Sequence, residues 1–125
     1  MWLVPTPDGE VDLEGALVLG VARSPGRISI EVENATLISD GAGSVVARAS
    51  LICEGVRAER AAFYVGEGVQ GEVKDHEVPL DDIEVVEFSG STLELHGYKS
   101  HKPWYVWSIE CGSVHFASKG ARSAP

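Results

Sequence analysis

The sequence predicts an all-β domain, built as an antiparallel two-sheet sandwich or a rolled β-barrel of about 8–10 short strands. Three observations carry this. Apolar residues recur at every second position through most of the 125 residues, which is the period of a strand with one buried face. Helical spacing is nowhere sustained beyond about two turns. Glycine, present 14 times, punctuates the apolar runs at short intervals, as turns between strands require. One core, over 1–125 as a single domain, suits this length.

The first residues, "MWLVPTPDGEVDLE", carry four carboxylates and no Lys or Arg, so they do not read as a secretion signal. Residues 1–12 and 119–125 are expected to fray. "GALVLGVA" is apolar for eight residues, far short of the roughly 20 a membrane span needs. These features place the protein in the cytoplasm, where Cys53 and Cys111, at no metal-binding spacing, are expected as thiols.

In "RISIEV", Ile28, Ile30 and Val32 share one face and Arg27, Ser29, Glu31 and Glu33 the other. The phase slips near Asn34, so that Ala35 and Leu37 turn inward, which predicts a bulge in a long bent strand. "DGAG" supplies a hairpin turn, and "SVVARASLICEG" returns with Val45, Ala47, Ala49, Leu51 and Cys53 on one face. After the turn "EGV", "RAERAAFYV" reads as a strand although its alanines also suit a helix.

Residues 66–77, "GEGVQGEVKDHE", read as an exposed loop with a short edge strand at Val73. "PLDD" predicts one short helical turn near residues 79–82. "IEVVEF" and "TLELHG" then form a hairpin across "SGS", with Val86 and Phe88 facing Leu93 and Leu95. In "YVWSIECGSVHF", Tyr105, Trp107, Ile109 and Cys111 point inward. The phase shifts at Gly112, by a bulge in one strand or at a tight hairpin, so that Val114 and Phe116 continue the core.

Net charge is −9, and it is unevenly placed. Residues 67–94 hold nine acids (Glu67, Glu72, Asp75, Glu77, Asp81, Asp82, Glu84, Glu87, Glu94) against one base, Lys74. Such a surface repels phosphate backbones and anionic membranes, so neither nucleic acid nor a membrane is an expected partner. A basic protein is.

No reactive constellation is written in the sequence. His96 and His101 straddle "GYKS" with no second ligand pair at a zinc spacing. "DDIE" with Glu87 offers carboxylates but no calcium loop. Ser89 lacks the glycines of a nucleophile elbow, since Glu87 stands two before it. Cys111 and His115 are four apart across the phase shift, with the thiol on the buried face. "GEGVQGE" is flanked by acids and leads into no helix that could cradle a phosphate. No metal, cofactor or catalytic residue is expected.

The reading that follows is a non-catalytic acidic interaction module for a basic protein partner, comparable in charge and size with immunity proteins that occupy a toxin nuclease's positive cleft. Its expected surface is Glu72, Asp75, Glu77, Asp81, Asp82 and Trp104, the last an outward-facing aromatic beside the basic "YKSHKP". A small-molecule carrier or minor enzyme is the alternative, with Tyr105, Trp107, Phe88 and Phe116 lining a barrel cavity. Homodimer formation through an open strand edge or Trp104 is compatible with both.

Overall fold

The computed structural model describes residues 3–66, 69–72, 81–98 and 104–119, with 63–66, 69–72, 118 and 119 described by backbone alone. These residues form eleven strands and no helix: β1 (Val4–Thr6), β2 (Gly9–Asp12), β3 (Leu17–Ser24), β4 (Arg27–Ser39), β5 (Ala42–Glu54), β6 (Ala58–Gly66), β7 (Val69–Glu72), β8 (Asp82–Ser89), β9 (Thr92–Tyr98), β10 (Trp104–Glu110) and β11 (Ser113–Lys119). All pairings are antiparallel. The hydrogen-bonded path runs β1-β2-β4-β3-β8-β9-β10-β6-β7, with β5 on the other edge of β4 and β11 beyond it. The sheet is not closed into a barrel, and no described helix is long and apolar enough to cross a membrane.

The long strand β4 sets this layout. Ile28, Ile30 and Val32 are buried, as their alternation predicts, and the inward face passes to Ala35 after Asn34. Asn34 makes the slip with a left-handed backbone, φ 67°, a conformation Asn tolerates better than most residues. Before this point β4 pairs with β3, and after it with β2. The other edge of β4 follows β5 throughout, and the register is the same on both sides of the slip. The two strands therefore change face together, which corrects the assignment of β5. Val46 is buried and Val45 is 71% exposed, because a strand locked in register must turn where its partner turns. Asp40 and Gly41, both at positive φ (54° and 79°), close the hairpin between them.

Four further expectations are corrected. Residues 4–12, expected to fray, form the β1–β2 hairpin, held because Val4 and Val11 are fully buried and β2 pairs with β4. Residues 69–72, expected as part of an exposed loop, form β7 paired with β6; the edge strand expected at Val73 lies outside the described residues, as do 74–80. Asp82 opens β8 where a helical turn was expected. The Asp81 N–H donates to Tyr98 O (2.8 Å) and its carbonyl accepts from Val18 N (2.7 Å), so its backbone bonds run to neighbouring strands. Last, β10 and β11 are neither a hairpin nor one bulged strand, since β10 pairs with β9 and β6 while β11 pairs with β5. At this crossover Cys111 N donates to Ser91 O (2.9 Å) and Gly112 N to Glu54 O (2.8 Å), so the turned backbone is satisfied on both sides.

One apolar cluster fills the interior, drawing on nearly every strand: Val4 and Val11, Ile28 to Val32, Leu51, Ile83, Leu93, Leu95, Ile109 and Phe116, with Trp107 the largest fully buried side chain. In the C-terminal aromatic segment Trp107, Ile109, Cys111, Val114 and Phe116 belong to the core, while Trp104 and Tyr105 are half-buried. That burial is the main term favouring the fold, at about 25 cal/mol per Å² of apolar surface removed from water.

Candidate interaction surface

The outer face of β8, β9 and β10 gathers the polar and aromatic residues that the two-residue alternation expels from the core. Its geometry follows from the β8–β9 hairpin. A two-residue loop, Gly90–Ser91, pairs Ser89 with Thr92, so Glu87 falls opposite Glu94 and Val85 opposite His96. On β10, Ser108 stands beside Glu94 and Val106 beside His96. A third row runs Asp82, Tyr98, Trp104 across the three strands.

Within this face His96 Nε2 lies 3.1 Å from Glu94 Oε1, and Ser108 Oγ donates to Glu94 Oε2 at 3.3 Å. Glu87 is exposed, and Glu94 and His96 are half-buried. One donor atom from each of the three lies within 4.8 Å of the others. Trp104 meets Tyr98 edge-on, ring centroids 4.9 Å apart at 85°, and its ring lies 6.5 Å from that of His96. Such edge-to-face pairs are favoured by the ring quadrupole. Gly97 allows the strands to meet here: a Cβ at this position would run into the carbonyl oxygen of Asp82, where β8 bulges between Ile83 and Val85.

Of the six surface residues expected from sequence, Asp82 and Trp104 are brought onto one row. Asp81 immediately precedes that row and is half-buried. Glu72 ends β7, described by backbone alone, and Asp75 and Glu77 lie outside the described residues. Sequence reasoning missed Glu94 and His96, although hairpin arithmetic across "SGS" would have placed both.

A second polar cluster sits where β3 approaches β6. Glu59 shares the core face of β6, being paired with Ile109 and one step from Ala61 opposite Trp107. It accepts hydrogen bonds from Arg23 Nε (2.9 Å), Arg23 Nη2 (2.7 Å) and Trp107 Nε1 (2.8 Å). Partial burial pushes the Glu59 carboxyl upward. The Arg23 and Trp107 hydrogen bonds, with the Arg23 charge, outweigh it and hold the group below its ordinary value. This fork is structural, tying β3 to β6 across a stretch the backbone leaves unpaired. Nearby, Cys53 and Cys111 are free thiols in mutual contact. Burial raises both above the ordinary range, although the neighbouring thiol and Arg57 partly oppose it at Cys111. His115 Nε2 lies 3.4 Å from Ser113 Oγ on β11.

Four of the five described arginines are spent on internal pairs, Arg23 with Glu59, Arg27 with Glu54, Arg48 with Glu31, and Arg57 with Glu110, while Arg60 of β6 stands opposite Ser108 of β10. No such pair reaches Asp82, Glu84 or Glu87 among the described residues. The negative potential of that strand is left facing outward. Compared with protein-family models, curated proteins and solved structures, the chain shows no significant match.

Proposed function

We propose that the protein is a non-catalytic acidic module that binds a basic protein partner, in the cytoplasm, through the outer face of β8, β9 and β10. The observation that carries this reading is Glu87 of β8 directly opposite Glu94 of β9, with Asp82 and Glu84 earlier on β8. Like charges opposite one another in a sheet are destabilising, by about 0.2–1 kcal/mol. A cationic group arriving from a partner removes that penalty and gains the attraction. The Tyr98–Trp104 pair beside it supplies rigid aromatic area of the kind that anchors interfaces. Concentrated negative charge also steers a basic partner, raising association rates above the unsteered range.

A carrier would need Trp107 and Phe116 to line a cavity. Both are instead buried in the core cluster, at 0% and 3% exposure, which favours the interaction reading. The test is affinity capture with the full chain and with a Glu84→Gln/Glu87→Gln/Glu94→Gln variant, in about 0.05 M and about 0.5 M salt. A basic protein retained by the parent at low salt, released at high salt and absent from the variant supports the proposal. Identical captured sets for parent and variant overturn it.

A further inference from the structure

We infer that Glu87, Glu94 and His96 form a binding site for a first-row transition dication of the Zn²⁺ class. The sequence suggested no such site because the ligands obey no spacing along the chain; they are assembled by the hairpin. Glu87 comes from β8 and stands opposite Glu94, while His96 follows Glu94 by two residues and so shares its face. Two paired strands are a rigid platform, and they present one imidazole nitrogen and two carboxylate oxygens within 4.8 Å of one another.

Donors held at about 2.0–2.2 Å from one zinc ion lie within about 4 Å of each other. The trio therefore needs only a small inward swing to close. Glu87 can make it, because its side chain is exposed on the outer face of β8. Glu94 and His96 already lie 3.1 Å apart, a separation that two ligands of one zinc ion can keep. The Ser108 hydroxyl on Glu94 Oε2 fixes the carboxylate from the far side, an outer contact of the kind that orients metal ligands.

The donor set selects the ion. Calcium requires six to eight oxygens and magnesium a near-ideal octahedron of them, whereas imidazole with carboxylate suits zinc and its neighbours. Two carboxylates neutralise the dication. Three protein ligands also leave a coordination position open to water or to an incoming side chain.

The inference stands apart from the partner reading, although both use one face. Titration calorimetry of the metal-free full chain with zinc chloride should show one equivalent bound, with calcium and magnesium chloride giving far weaker heats. Glu87→Gln and His96→Gln should each weaken zinc binding at least about tenfold, since loss of even outer-contact residues costs 10–100-fold. His115→Gln should leave it unchanged. In a Trp2→Phe background, Ni²⁺ should quench emission through Trp104, whose ring is 6.5 Å from His96, and His96→Gln should abolish the quenching. Zinc affinity unaltered by Glu87→Gln and His96→Gln, or a parent that binds no zinc, overturns the inference. A protein that captures a basic partner yet binds no zinc overturns this inference alone.

Discussion

Replacing Trp107 with alanine removes the largest fully buried side chain of the core. Truncating a core tryptophan costs about 3–5 kcal/mol, as lost transfer energy plus the cavity left behind. The indole N–H also donates to Glu59 Oε2 at 2.8 Å, and a hydrogen bond to a charged group contributes about 1.5–3 kcal/mol. The lower end applies here, because Glu59 keeps both Arg23 bonds and its side chain is 23% exposed, so water can replace the indole. The expected total is about 4.5–6.5 kcal/mol, against a stability of about 5–15 kcal/mol for a domain of this kind. Trp107→Ala should thus be folded only marginally. Trp107→Phe, which keeps most of the ring and loses the donor, should lose about half as much. Urea unfolding followed by far-ultraviolet circular dichroism gives both values. A Trp107→Ala protein within about 1 kcal/mol of the parent, at unchanged m, would refute the assignment of this strand to the core.

Three other outcomes are expected. Glu59 has a depressed carboxyl in the fold, so its contribution is present above the ordinary carboxylate value and is lost as pH falls through the lower folded value. Glu59→Gln should therefore flatten the acid limb of a stability-against-pH profile, and a steep unchanged limb would argue against it. Gly97→Ala places a methyl against the Asp82 carbonyl. It should destabilise by more than the 1–3 kcal/mol of ordinary overpacking, read as a lowered Tm, whereas Gly90→Ala should cost about 1 kcal/mol, its Cβ meeting nothing within 4 Å and only its positive φ opposing it. Cys53 and Cys111 are buried with raised thiols, so iodoacetamide at mildly alkaline pH should modify neither until urea unfolds the chain; mass spectrometry of the native reaction checks this.

How far the fold was legible depended on whether the information was local. Ile28, Ile30 and Val32 declare their face by alternation, Asp40–Gly41 declares a turn by its chemistry, and Trp107 is placed by its own parity. Val45 and Val46 could not be told apart locally, because the partner strand's turn at Asn34 decides which of them is buried. The crossover at Gly112 was likewise hidden, since a phase shift looks the same whether the chain folds back on itself or passes to a different neighbour. Residues 1–12 look like a fraying terminus by position alone, yet Val4 and Val11 anchor a hairpin against β4.

The candidate surface was legible as charge but not as geometry. Concentration of acid in residues 67–94 marks a stretch that includes this hairpin. That Glu87, Glu94 and His96 converge required the register, which the two-residue loop Gly90–Ser91 fixes. Glu59 was invisible as a core-face acid, because a carboxylate on the inner parity is tolerated only when donors such as Arg23 and Trp107 meet it, and both come from other strands.

The most direct test of the interaction reading is the association rate constant of the captured partner, measured by stopped flow at a series of ionic strengths. For the parent it should fall steeply as salt rises and screening shortens the reach of the Asp82, Glu84, Glu87 and Glu94 charges. The Glu84→Gln/Glu87→Gln/Glu94→Gln protein should bind slowly at every salt concentration. A parent rate that ignores ionic strength, equal to that of the variant, would contradict the claim that this face recruits a basic partner.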